Sequence, residues 1–344
     1  MKSQNFTRRS LRLSGVGLAL CLAGCQAAKF QHIGGSAESG SGALGKIVET
    51  FDQGIAANKV DILIINDNSV SMTLEQEKLG DRFGNFISQI SDIDYQIAMT
   101  TTDIDSQNYN MDGRIMNWVG AGSKILSPSS NNQENAFRNT IERQETSDCL
   151  VSGNCPSGNE QALGAMVRAF SHRNGANAGF FRDNTPLAIF VLGDEDEMST
   201  GAGGTTAAQV VSAFRATFGP SKRFAVYGII IQPGDSACRA EQRAQPDAQN
   251  TGHYGTRVAE LAQLTGGRTT SICAADYSDS LNEMSQDFRS LVTSYELSQE
   301  PQPDSVEVIF TPAQNINYKI EGRMLVLERA APHGTKIEVR YYHR

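Results

Sequence analysis

Four short stretches constrain the fold of this chain more than anything else in it. Lys59–Asn66, Tyr95–Thr101, Leu187–Leu192 and Phe224–Ile231 are each apolar over most or all of their length. Runs this short and this continuous are expected of strands buried on both faces. The text between them has a different period. Apolar residues recur at Leu79, Phe83, Phe86, Ile87 and Ile90, and again at Leu163, Met166, Val167 and Phe170. A third set, Val210, Val211, Phe214 and Phe218, is closed by Gly219-Pro220. Each set marks one face of a helix. Helices over 254–265 and 279–295, with a short strand at Thr269–Ile272 between them, continue the alternation. The pattern predicts an α/β fold: a doubly wound, mostly parallel central sheet flanked by helices.

The final segment changes character. After Pro301-Gln302-Pro303, strands are expected at 306–310, 324–327 and 336–342, with Pro332-His333-Gly334 as the last turn. Three strands are marginal alone, so they are expected to pair with residues 46–52 or to pack on the main domain. The chain divides into a leader (1–24), a tether (25–54), the α/β domain (55–298) and a C-terminal β-rich extension (303–344). Within the domain, 113–127 around Trp118 reads as an edge hairpin and 131–144 as a polar helix. The long polar loops 103–130 and 233–253 suit recognition.

Lys2, Arg8, Arg9 and Arg12 precede an apolar run, Leu13–Ala23, too short to span a bilayer. This is the pattern of a secretory signal. It closes on Leu22-Ala23-Gly24-Cys25, which resembles a bacterial lipobox with Cys25 as the lipidated residue. Two or more acyl chains, palmitate among them, would anchor the protein stably. Gln26, rather than aspartate, favours the outer membrane by resemblance to Gram-negative lipoproteins. Residues 26–45, rich in Gly and Ser, suit a flexible tether.

The chain carries a formal charge of −8, and loss of the four leader cations would make it more acidic still. Nucleic-acid binding relies on basic patches, so that class is not expected. The four cysteines after Cys25 are Cys149, Cys155, Cys238 and Cys273. In an oxidising compartment they suggest two disulfides. Of three pairings, Cys149–Cys155 and Cys238–Cys273 are favoured, as a small loop staple and a longer link between strand ends.

The first buried run stops abruptly at Asp67-Asn68-Ser69-Val70-Ser71, with three oxygen-bearing side chains spaced two apart. One tight loop can turn them toward a common point, and hard divalent cations prefer such oxygen ligands. Helix caps and turns use the same residues, so context must decide. The third run ends in Gly193-Asp194-Glu195-Asp196-Glu197, also at the carboxyl end of a strand.

An Asp-x-Ser-x-Ser loop after a buried strand resembles the metal-ion-dependent adhesion site (MIDAS) of von Willebrand factor type A domains. The resemblance covers about residues 55–295. It implies Mg²⁺ (or Mn²⁺ or Ca²⁺) held by Asp67, Ser69 and Ser71, with Asp194 from the second loop. It also implies a hydroxyl before the third helix, and the spacing lands on Ser157. Serine there keeps the hydroxyl but loses the methyl that restrains a threonine rotamer. Thr146 and Glu160 are rivals for that place. Similar bacterial lipoproteins carry Glu-Gln before this helix, as Glu160-Gln161 does here. Glu195 or Asp196 would hold water on the metal, or the acidic run is simply a solvated loop.

The function implied is adhesion or envelope-complex assembly. A partner protein would supply an acidic residue to the open metal position, while the membrane is reached through the lipid anchor. The alternative is a structural envelope scaffold with a degenerate, metal-free site. An enzyme is not expected. His32, His172, His253, His333 and His343 share no metal spacing, and neither a Gly-x-Ser-x-Gly elbow nor a glycine-rich phosphate loop accompanies the strands. A metal-dependent hydrolase at Asp67 and Asp194 would also need a poised base.

Overall fold

The computed structural model describes residues 45–52, 58–183, 185–197, 203–219, 222–245, 252–332 and 334–343. The leader and the lipidation site at Cys25 lie outside the described residues, as does most of the tether. None of the described helices is long and apolar enough to cross a membrane.

The α/β prediction holds. Strands β2 (Lys59–Asn66), β3 (Asp94–Thr101), β4 (Leu187–Leu192), β5 (Phe224–Ile230) and β6 (Thr269–Ser271) form one sheet in the order β3-β2-β4-β5-β6. Every pairing in it is parallel. The alternation of side chains along β2 sends Ile62 and Ile64 to one face and Leu63 and Ile65 to the other. The first face is covered by α1 (Thr73–Gln89), α2 (Gln133–Ile141) and α8 (Ser278–Thr293), through Phe83, Phe137 and Phe288 among others. The second is covered by α4 (Ala162–Ser171), α5 (Ala207–Phe218) and α7 (Thr256–Thr265), through Phe170, Phe214 and Leu261. Burial on both sides explains why the strands are apolar throughout.

Chain direction fixes where a ligand can sit. From β2 the chain winds outward to β3, then returns to place β4 on the opposite side of β2. The crevice opens between β2 and β4, at the carboxyl ends of the strands. Asp67 and Asp194 are the residues just beyond those two ends.

Several local expectations are corrected. Residues 113–127 form no hairpin. They make an irregular loop joined to β3 by an isolated bridge, Ile97 to Leu126, and by the Met116 N–H on the Met99 carbonyl at 2.9 Å, with Ile115, Met116 and Trp118 buried beneath it. Burying those side chains fixes the loop by packing rather than by a ladder. The 131–144 helix is α2, and a further helix, α3 (Gln144–Ser152), follows it. The region 233–253 is not simply a loop. It contains α6 (Ser236–Arg243), whose N-cap Asp235 accepts the Cys238 N–H at 3.0 Å. Both expected disulfides form, Cys149–Cys155 and Cys238–Cys273.

The C-terminal strands use the chain's other end. β1 (Lys46–Asp52), read above as tether or strand, pairs with β11 (Lys336–Tyr342), which pairs with β8 (Glu307–Thr311). A second sheet joins β7 (Ser294–Glu296), β10 (Met324–Leu327) and β9 (Tyr318–Glu321). Both sheets share one core, in which Phe51, Tyr295, Leu325, Ile337 and Val339 meet. The buried Glu49 ties them together. It accepts the Ser298 N–H at 3.0 Å and the Tyr341 hydroxyl. This six-stranded module is built from both flanks of the α/β domain.

Candidate metal centre

The β2 end is positioned by backbone before any side chain acts. The Asp67 N–H donates to the Leu192 carbonyl at 2.9 Å, locking the loop to the end of β4. Gln76, from the first turns of α1, donates to the Asp67 carbonyl at 2.8 Å. Thr146 donates to the Asn68 carbonyl at 2.8 Å. With the main chain held, Asp67 Oδ1 accepts the Ser69 N–H at 2.8 Å, an Asx turn that leaves Oδ2 facing inward. The Ser69 and Ser71 hydroxyls lie 3.1 Å apart, and Ser71 Oγ donates to Asp194 Oδ1 at 3.0 Å. The two loops identified in the sequence therefore meet.

Gly193 permits the approach. A Cβ there would stand 3.2 Å from Asp67 Oδ2.

The third loop departs from expectation. Ser157 does not join the cluster: its N–H goes to Asp103 at 3.0 Å, and its hydroxyl accepts the Asn159 N–H at 3.2 Å. Thr146 is committed to the Asn68 carbonyl. Glu160 is the residue that arrives, because the Gln161 N–H bonds the Thr102 carbonyl and draws this stretch against the end of β3. Glu160 is 2% exposed; its oxygens meet no N–H or hydroxyl donor, and its partner is the carboxyl of Glu195.

Nor is the acidic run a solvated loop. Asp196 accepts the Arg257 N–H at 3.0 Å at the start of α7. Glu197 accepts the N–H of Leu163 at 2.7 Å and of Gly164 at 3.1 Å at the start of α4. Both carboxylates occupy helix N-termini, where negative charge is favoured. Glu195 is buried, 3.5 Å from His253 Nδ1. Its carboxylate lies against Glu160.

One buried acid went unread in the sequence. Glu75, in the first turn of α1, is fully buried and accepts from Gln242 and Gln245, each at 3.1 Å. Its position four residues after Ser71 on an inward face is the signal that would have found it.

Asp67, Glu75, Glu160, Asp194 and Glu195 are thus all buried, and Asp67 and Asp194 lie within reach of the charge of each of the others. Lys78 lies 3.9 Å from Glu75, and the His253 ring lies 3.5 Å from Glu195. Burial pushes the Asp67 carboxyl up to about 7, with Glu195 and Glu75 adding to the rise against the opposing Ser69 bonds. Burial, then the neighbouring carboxylates, also raises Glu160 and Asp194 well above the usual range.

Buried oxygens without donors are costly unless something positive is bound among them. Asp67 Oδ2 and Asp194 Oδ2 are in that condition. Among the described residues, no group of three or more His, Cys, Asp or Glu side chains could by itself hold a metal ion. A centre in which Ser69 and Ser71 supply hydroxyl oxygens does not require one. The donor set of hard oxygens fits a hard divalent cation.

No family model matches the chain, and no curated protein does. Among solved structures, the pilus adhesin SpaC from Lactobacillus rhamnosus GG, in its open conformation, is similar at a TM-score of 0.32 and 12% identity. That match covers 89% of this chain and 42% of the adhesin. Proximal thread matrix protein 1 from the mussel byssus is similar at a TM-score of 0.37 and 11% identity, over 70% of this chain and 50% of that one. The chain spans half or less of the length of these proteins.

Proposed function

We propose that this protein is a lipid-anchored envelope protein whose α/β domain, of the von Willebrand factor type A kind, binds a protein ligand through a divalent cation. The observation that carries the reading is the junction of two loops. The Ser71 hydroxyl reaches Asp194 at 3.0 Å, beside carboxylate oxygens of Asp67 and Asp194 that are buried and lack donors. Asp67, Ser69, Ser71 and Asp194 would hold the cation. When bound, it supplies a concentrated positive charge at the mouth of the crevice, able to attract an oxygen donor from a partner. The chain's own residues do the rest. Gln76 and Thr146 hold the Asp67 and Asn68 carbonyls by hydrogen bonds, and the β2–β4 register keeps the two aspartates adjacent.

Leu74 is 49% exposed in the first turn of α1, and Val151 is 91% exposed on α3, the helix packed on the Val70–Met72 turn. They give the rim apolar contact area that a protein partner can cover. A secretory leader ending in the lipobox-like Leu22-Ala23-Gly24-Cys25 would bring such a site to envelope proteins rather than metabolites.

Calorimetric titration of the full-length chain with divalent cations tests the proposal. Asp67→Ala should abolish the binding heat, and with it any cation-dependent capture of envelope proteins. Equal heats in the variant and the parent would sink the reading.

A further inference from the structure

The two disulfides differ in what they hold and in how solvent meets them. Cys238 is 3% exposed and Cys273 is half-buried, whereas Cys149 is 1% exposed and its partner Cys155 lies open to solvent. The Cys149–Cys155 bond joins the last turns of α3 to the segment just beyond the helix, six residues on. That segment is itself fixed, because the Ser157 N–H bonds Asp103 at 3.0 Å past the end of β3. Helix α3 has little else to keep it in place. It has nine residues and no side-chain cap at its start, and helices that short are marginal on their own. Gln144, Ser147, Asp148, Val151 and Ser152 are exposed, which leaves Thr146 and Cys149 as its buried side chains among those described. Yet this helix holds the cation loop. Thr146 donates to the Asn68 carbonyl at 2.8 Å, and Glu145 accepts the Asn68 side-chain N–H at 3.3 Å. The helix also packs on the Val70–Met72 turn, which contains Ser71.

We infer that Cys149–Cys155 is a thiol-exchange site, and that its opening weakens the cation centre by releasing α3. The inference rests on the proposed function and adds a control to it. A thiolate attacks Sγ of the exposed Cys155 and forms an S–S bond with it as the bond to Cys149 breaks. Cys149 leaves with the bonding electron pair and takes a proton. A second thiol then attacks the mixed disulfide and frees Cys155. Two external thiols are thus oxidised to one disulfide as the two cysteines are reduced. Thr146 and Cys149 lie three apart on one face of α3, so the staple and the bond to Asn68 act on the same turn. With the staple open that turn is free to fray, and the Asn68 carbonyl loses its donor. The loop from Asp67 to Ser71 is then held less firmly, and cation affinity falls. The Cys238–Cys273 pair, with neither cysteine exposed, is exchanged more slowly.

The test uses the full-length chain, with dithiothreitol as the thiol and MgCl₂ as the cation probe. Alkylation and mass spectrometry should find Cys149 and Cys155 reduced before Cys238 and Cys273. Calorimetric titration of that partly reduced protein should show Mg²⁺ affinity lower by about two- to tenfold, the worth of one net hydrogen bond. Closing the disulfide again with oxidised glutathione should restore it. Cys149→Ala/Cys155→Ala, which cannot close, should bind as weakly as the reduced parent and ignore the dithiol. Thr146→Val, which removes the hydroxyl that holds Asn68, should lose affinity to a similar extent and lose little more on reduction. That readout separates control through Thr146 from a general loosening. Opening of Cys238–Cys273 first, a Thr146→Val variant that still loses the full factor on reduction, or unfolding of the whole domain on reduction overturns the inference. If the reduced parent binds Mg²⁺ as tightly as the oxidised one, the proposed function survives and the control by Cys149–Cys155 does not. If the oxidised parent binds no divalent cation, both fall.

Discussion

Strand β2 has one buried aspartate near its start and another just beyond its end, and the two could hardly be treated more differently. Asp61 and Asp67 are both fully buried. At the amino end, Asp61 takes the Arg182 side chain at 2.7 Å, the Arg182 N–H at 2.8 Å and Lys222 at 3.6 Å. Arg182 also bonds Asp94 and the Val60 carbonyl, so the whole network is satisfied. At the carboxyl end, Asp67 has one backbone donor and is surrounded by other acids. Burial pushes both carboxyls up, but at Asp61 two cations oppose the shift, and at Asp67 two acids reinforce it. A fold supplies counter-charges where it needs a buried ion for itself. Where it withholds them, the carboxyl is held neutral by a proton unless a cation is supplied.

Substitution at the two ends should therefore have opposite consequences. Asp61→Ala strands a guanidinium and an ammonium in the interior, and losing one partner of a buried pair costs about 3–5 kcal/mol. Urea unfolding in EDTA should show that loss. Asp67→Ala under the same conditions should be neutral or stabilising, because it removes a charge that nothing balances. The order should reverse in cation titrations, where only Asp67→Ala abolishes binding. Equal destabilisation at both ends would dissolve the contrast.

The pH dependence sharpens the same point. An aspartyl group whose folded-state pKa lies near 7, against 3.8 in the unfolded chain, favours folding while it is protonated. That advantage is present at and below about pH 4 and is lost as pH rises through about 7. Chelated protein should thus become less stable from pH 4 to pH 7, the reverse of the usual behaviour of a paired carboxylate. A saturating divalent cation should flatten the slope, since the bound ion replaces the proton. Chemical denaturation across that range, with EDTA and with CaCl₂, checks both limbs. A slope unchanged by the cation would mean that the ion does not sit among these carboxylates.

The sheet was legible in the sequence because its information is local. Ile62–Ile65 and Leu187–Leu192 declare burial on both faces without reference to anything distant. Asp67, Ser69, Ser71 and Asp194 were legible for the same reason, each lying at the visible end of an apolar run. What stayed hidden depends on partners far along the chain. Glu160 and Glu197 are both acids near the start of α4, one in the chain before it and one beyond β4. Only the fold shows which of them caps the helix and which faces the cluster. Ser157 was placed by counting along the chain, but the bond from its N–H to Asp103 turns it elsewhere. The pairing of β1 with β11, which joins Lys46 to Tyr342, was one of two arrangements expected for the C-terminal strands, and the local pattern could not choose between them.

The smallest expected effect probes how tightly the crevice is built. In Gly193→Ala the new Cβ would meet Asp67 Oδ2 at 3.2 Å and Asp67 Cβ at 3.3 Å. The main chain cannot easily yield, because the Gly193 N–H bonds the Ile229 carbonyl at 3.2 Å and the Asp67 N–H bonds Leu192. The side chain of Asp67 must give way by a few tenths of an ångström. Forcing a side chain away from its preferred rotamer costs about 0.5–1.5 kcal/mol, which corresponds to roughly two- to tenfold in cation affinity. Stability in EDTA should change by less than about 1 kcal/mol, because the displaced oxygen has no donor to lose. An affinity loss with little stability loss would place Gly193 with the cation site rather than with the sheet. The opposite result would mean that the glycine serves the β4–β5 packing, and that Asp67 has more freedom than its hydrogen bonds suggest.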